Sequence, residues 1–192
     1  MDPSEAFAVI GGLEDRWLLF RSREGLVLLD VRKAAERILF EQLKRETESG
    51  TASSQRLLMP EVVELPPKDV VWISENLEPL RLAGFLLEPF GGNAFKIEGL
   101  PASLTDTTPG AALLEVCESL RASGLLGSRP LVLDALIRSV SSLAAARPFA
   151  YDPARARQLL RELLRCELPY ASPLGNPTMI QWSFPELERK FS

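Results

Sequence analysis

Between Gly25 and Leu43 the chain reads GLVLLDVRKAAERILFEQL, and this stretch leaves few ways to fold. Leu26 to Leu29 are consecutive apolar residues, enough for a buried strand and too few for a helix. Asp30 can cap a helix, because its carboxylate accepts from backbone N–H groups left unpaired in a first turn. Beyond it Val31, Ala34, Ala35, Ile38, Leu39 and Leu43 recur at helical spacing and form one apolar stripe. A buried strand therefore enters an amphipathic helix directly, with an acid at the junction.

The flanking segments extend this start into an α+β fold. Phe7–Gly12 (FAVIGG) and Arg16–Arg21 (RWLLFR) read as strands with Leu13–Asp15 turning between them, so the chain opens as an antiparallel meander. The long helix ends near Ser49–Gly50, and the polar run Gly50–Ser54 leads out into a second unit. There Gln55–Leu65 is extended, and a helix is predicted from Lys68 to Ala83, stopped by Gly84, with Pro79 kinking its last turn. Gly91-Gly92-Asn93 joins Phe85–Phe90 to Ala94–Glu98 as a hairpin. Helices follow from Thr108-Pro109 to about Ser123, closed by Gly124, from Leu131 to Ala146, and from Asp152-Pro153 to Cys166. Thr178–Trp182 is a closing strand, and Ser183 with Glu186 has capping-box spacing for a last helix to Phe191.

Composition removes several functions. Lys and Arg number 22 against 26 Asp and Glu, a net charge of −4, and the basic residues are scattered among acids along the sequence. Nothing in that balance predicts broad, salt-driven binding to nucleic acid. The chain has no His, which argues against a His-ligated metal and against a His general base. No stretch is long and apolar enough to span a membrane and no signal-peptide pattern opens the chain, so a cytoplasmic protein is expected. Cys117 and Cys166 lie in apolar helical patterns and read as buried, reduced thiols. The Gly pairs lack phosphate-loop context, and no Ser stands in a nucleophile motif. Trp17, Trp72 and Trp182 are widely spaced in apolar runs and suit packing better than base stacking.

The strand–helix junction resembles the C-terminal domain of the MutL family of DNA mismatch-repair proteins. Endonuclease-active members carry DQHAAHER there, followed by a second Glu. Asp30, Ala34, Glu36, Arg37 and Glu41 match, whereas Val31, Arg32, Lys33 and Ala35 replace the Gln, both His and an Ala. In active members the first His and first Glu stand four residues apart and can share a metal ion. Arg32 takes that His position; a guanidinium cannot ligate a metal but can pair with Glu36 at i,i+4. The family's CPHGRP loop aligns with Ser172-Pro173-Leu174-Gly175-Asn176-Pro177, where Ser172 and Leu174 replace Cys and His. Ser141 falls near a third family ligand, a Cys. Asp30, Glu36 and Glu41 remain as oxygen donors, but Glu36 and Glu41 are five residues apart and do not share a helix face. The passage from Pro60-Glu61 through the Gly91–Asn93 hairpin also resembles the family over some forty residues.

What the resemblance implies is an antiparallel-sheet dimerisation subdomain built by both chain ends, residues 1–50 and 136–192, around an inserted α+β regulatory subdomain, residues 51–135. It implies a homodimer that takes part in mismatch repair, without a nicking site, a bound metal or another cofactor. Asp30, Arg32, Glu36, Ser172 and Leu174 would be vestigial positions of the metal site. The family's ATP-binding region has no counterpart in this sequence, so ATPase activity is not expected of it. Gln55-Arg56-Leu57-Leu58-Met59-Pro60 fits Q-x-x-L-x-P, the pattern by which many bacterial proteins engage the replicative sliding clamp, and lies where the family carries it. Gln55, Leu58 and Pro60 would make the contacts, provided Leu58 does not face inward. Other mismatch-repair proteins are further expected partners, and DNA only weakly or indirectly. The competing readings are a nicking endonuclease with divergent ligands and a dimeric regulatory domain unrelated to repair.

Overall fold

In the computed structural model, residues 3–50, 52–104, 107–122 and 129–191 are described. The strands and helices are β1 (Ala8–Leu13), β2 (Trp17–Arg21), β3 (Gly25–Asp30), α1 (Val31–Glu48), β4 (Ser54–Glu64), α2 (Pro67–Glu75), α3 (Leu77–Leu82), β5 (Leu86–Gly91), β6 (Ala94–Pro101), α4 (Pro109–Ala122), α5 (Arg129–Ala145), α6 (Pro153–Leu164), β7 (Met179–Ser183) and α7 (Phe184–Glu188). This is a mixed α+β protein with two antiparallel sheets. It forms two compact units, one from Met1–Glu41 with Ala145–Ser192, the other from Gln42–Ala144. The divisions fall inside α1 and at the end of α5, whereas the sequence placed them at 50/51 and 135/136.

The unit built from both chain ends holds a sheet in the order β1-β2-β3-β7. Glu14 and Asp15 both take positive φ, 51° and 48°, between β1 and β2. That pairing of left-handed residues suits a tight hairpin whose twist matches its strands. Along β2 and β3 alternate residues point the same way, so Leu18, Phe20, Val27 and Leu29 line one face. They pack with Val31 and Ala34 of α1 and Ala156, Leu160 and Leu163 of α6. Each large side chain buried there contributes about 1.5–3 kcal/mol. On the opposite face Leu19, Leu26, Leu28 and Trp182 are half-buried and Ile180 is exposed.

Helix α6 starts where Asp152 Oδ1 accepts from the N–H groups of Ala154 and Arg155, both at 2.9 Å. Its inner side is Ala156, Leu160 and Leu163; its outer side carries Arg157, Arg161 and Arg165, all exposed. Basic residues that look scattered in sequence are thus collected into one stripe by the helical repeat. Cys166 lies just beyond this helix and is half-exposed, unlike the buried thiol expected. At the end of β7 the capping box of Ser183 and Glu186 forms, but α7 stops at Glu188, short of Phe191.

The inserted unit has a sheet in the order β4-β6-β5, with Gly91 (φ 98°) and Gly92 (φ 56°) at the β5–β6 turn. The helix expected from Lys68 to Ala83 is two helices, broken at Asn76 (φ −120°, ψ 23°). Pro79 sits in the first turn of α3, where a missing N–H costs nothing. Its ring would clash with the carbonyl four residues back in a continuous helix, so the break precedes the proline. Ala112, Leu113, Val116 and Leu120 of α4 and Val132, Leu136 and Val140 of α5 are buried. Asp69 is buried and pairs with Arg121 at 2.9 Å. Burial pushes the Cys117 thiol up to about 12, so it stays protonated and inert. The expected end of α4 at Ser123 and Gly124 lies outside the described residues.

Gly25 shows how closely the β3–β7 pair is fitted. A Cβ there would lie 1.9 Å from the Trp182 carbonyl oxygen, whereas one at Gly11 would meet nothing within 4 Å. Gly25→Ala should therefore lower stability by about 1–3 kcal/mol through overpacking, and Gly11→Ala in the same sheet by less than about 0.5 kcal/mol. Urea unfolding of the two variants beside the parent checks this contrast.

Candidate functional site

In the unit built from both chain ends, α1 faces the segment from Glu167 to Thr178 that carries the aligned loop. Asp30 is the cap its position suggests: Oδ1 accepts from the Lys33 N–H at 3.0 Å. Its own N–H donates to the Thr178 carbonyl at 2.9 Å, and Oδ2 lies 3.8 Å from Arg16. One turn further, Arg32 is exposed while Glu36 is only 8% exposed. Among the described residues of α1 the buried guanidinium is that of Arg37.

Arg37 Nε donates to the Ala171 carbonyl at 2.6 Å and Nη2 to the Ser172 carbonyl at 2.8 Å. Nη1 lies 3.6 Å from Glu41 Oε1, and both side chains are about 7% exposed. Glu41 in turn accepts from the N–H groups of Glu167 (2.8 Å) and Leu168 (3.2 Å). One i,i+4 pair thus grips both ends of the segment 167–172 through its main chain, with charge-assisted bonds of the stronger kind. The residue types and spacing were visible in sequence; their partners, some 130 residues away, were not.

The loop is a closed turn. Ser172 N–H donates to the Asn176 carbonyl at 2.7 Å, Gly175 N–H to the Ser172 carbonyl at 2.8 Å, and Ala171 bridges Pro177. Gly175 takes φ 83°, which a residue with a Cβ adopts only with strain. The Thr178 hydroxyl donates to the Pro169 carbonyl. Ser172 is 2% exposed and its Oγ has no hydrogen-bond partner, whereas Leu174 is 70% exposed. Ser172 is tied to α1 through its carbonyl, which accepts from Arg37. Among the described residues no group of three or more His, Cys, Asp and Glu is gathered as metal donors. Ser141, in the other unit, is fully buried and donates to the Ile137 carbonyl at 2.7 Å.

Gln55–Pro60 lies on β4, an edge strand. Gln55 and Arg56 pair with Leu100 and Gly99, and pairing resumes only at Glu61 with Ile97. Five steps along β4 therefore answer two along β6, and residues 57–60 bulge from the ladder. The bulge suspends the alternation that threatened to bury Leu58. Leu58 is 105% exposed and Met59 83%, Gln55 and Pro60 are exposed, and Leu57 is the half-buried member.

A discontinuous sheet unit with an inserted α+β unit and this strand–helix junction define the class of protein. The profile of the MutL C terminal dimerisation domain matches residues 10–164, and the chain belongs to that family. It is 37% identical over 191 residues, 99% of its length, to the DNA mismatch repair protein MutL of Akkermansia muciniphila. It is 35% identical to that of Desulforudis audaxviator, across 95% of its length, and 33% to that of Opitutus terrae, across 98%. The chain spans 30%, 32% and 30% of the lengths of these relatives.

Removing the Arg37 fork would leave buried carbonyls and Glu41 without their cation. Arg37→Met should cost about 3 kcal/mol in urea unfolding. Hydrogen exchange in the peptide 169–178 should accelerate more than exchange in β5–β6.

Proposed function

We propose that the chain is the dimerising, partner-docking domain of a mismatch-repair MutL, without a metal-dependent nicking centre. The observation that carries this reading is the fate of the ligand positions. Arg32, Ala35, Ser172 and Leu174 stand where the resemblance puts imidazole and thiolate donors. Of the retained carboxylates, Asp30 caps α1 and Glu41 is committed to two backbone N–H groups beside a guanidinium. A zinc ion held by four N or S donors has too few here, and an activated water would have no ion to lower its pKa. The competing reading, a divergent nicking endonuclease, would need donors recruited around Glu36.

Homodimerisation is supported by the uncovered sheet face. Leu19, Leu26, Leu28, Ile180 and Trp182 form an apolar surface beside edge strands β1 and β7, and a second copy would cover it with its own. Light scattering at tens of micromolar should give twice the chain mass, and Leu28→Arg should give the monomer mass. A monomeric parent would sink the proposal.

Docking to the replicative clamp is supported by the exposed bulge: Gln55 would hydrogen-bond at one end of a groove while Leu58 and Pro60 enter an apolar pocket. Six residues bury little surface, so one site should bind at roughly micromolar to millimolar strength. Titration of labelled protein with clamp should saturate for the parent and fail for Gln55→Ala and Leu58→Ala. Supercoiled plasmid added to the same mixtures with Mn²⁺ should remain un-nicked; nicking abolished by Glu36→Ala would restore the endonuclease reading.

A further inference from the structure

We propose that Met59 is an oxidation-sensitive contact in the docking segment of β4, where a peroxide turns its thioether into a sulfoxide and so weakens the hold on the replicative clamp. The inference rests on the clamp-docking reading of Gln55–Pro60. Its starting point is the bulge. Residues 57–60 leave the ladder between the Arg56–Gly99 and Glu61–Ile97 pairs, and Leu58 and Met59 both stand in solvent. Pro60, also exposed, follows at once. A pocket that takes Leu58 and Pro60 therefore meets the Met59 side chain between them.

A thioether is unbranched and polarizable, so it fills the irregular apolar gap that such a contact leaves. It is also the group in the segment that a peroxide attacks. A sulfur lone pair takes one oxygen of hydrogen peroxide: the S–O bond forms as the O–O bond breaks, and the departing hydroxide takes up the remaining proton and leaves as water. Sulfur is oxidised by two electrons and the peroxide is reduced. The product is polar and chiral, and docking would bury its oxygen among apolar groups without a donor. Because Met59 lies outside the ladder and in solvent, the fold loses nothing by the change. Only what the segment offers a partner is altered. Reversal falls to a methionine sulfoxide reductase, whose two thiols become a disulfide while the oxygen leaves as water.

The other sulfurs of the described residues are placed differently. Met179 is half-buried on β7 and packs against the core of its unit. Cys117 is buried, and with its thiol pushed up to about 12 it forms little of the reactive thiolate. Cys166 is half-exposed, and its Sγ donates to the Glu162 carbonyl at 3.6 Å.

The test treats the full chain with hydrogen peroxide, maps the added oxygen by peptide mass spectrometry, and titrates the reduced and oxidised forms with the replicative clamp. Met59 should gain an oxygen before Met179 does, with an unchanged urea midpoint, and the oxidised chain should bind about tenfold more weakly. The two epimer-specific methionine sulfoxide reductases together should restore binding, whereas dithiothreitol, which reverses thiol oxidation, should not. Met59→Leu should show one affinity before and after peroxide. Equal binding by the reduced and oxidised chains, a peroxide effect that persists in Met59→Leu, a shifted urea midpoint, or earlier oxidation of Met179 overturns this inference and leaves the docking reading standing. A reduced chain that does not bind the clamp overturns the docking reading and this inference with it.

Discussion

The Arg37 guanidinium is the hinge of the unit made by both chain ends. Three of its nitrogens face three acceptors, the carbonyls of Ala171 and Ser172 and the carboxylate of Glu41. A buried cation is tolerable only when its donors are met, and here they are met by a segment some 130 residues further along the chain. Folding α1 therefore obliges the segment 167–172 to return to it. That return brings Thr178 to Asp30, and β7, which follows at once, pairs antiparallel with β3. The discontinuity of the unit follows from electrostatics as much as from the sheet.

Local chemistry was legible in sequence wherever a short pattern decided the outcome. The apolar run of β3, the cap at Asp30, the cap at Asp152 and the Gly91–Gly92 turn all formed as their residues demand. The misplaced break at Pro79 came from reading a proline as an interruption of its own turn, when its ring acts on the carbonyl one turn earlier. What could not be read was tertiary. Arg37 and Glu41 are polar residues in a helix and look like a solvated pair; only the distant carbonyls and N–H groups turn them inward. The stripe on α6 escaped because a count of charges along the chain ignores the helical repeat.

The bulge on β4 was equally invisible, since no glycine or proline pair marks its start. Its effect is to separate two demands that a regular strand would set against each other. Leu57 is half-buried while Leu58 and Met59 stand in solvent, so one segment supplies both a tie to its unit and an apolar display. Edge strands with exposed apolar residues are open to unwanted pairing, and an irregular ladder with Pro60 at its close is an ordinary protection against it.

The grip on the 171–172 turn is made through main-chain oxygens, and such a grip keeps no memory of side chains. Ser172 and Leu174 can be exchanged for other residues while Arg37 holds the same carbonyls and Gly175 the same left-handed corner. Side chains carried on such a turn can change in evolution without unfolding the backbone that holds them. A lineage carrying this architecture keeps a socket whose contents are optional.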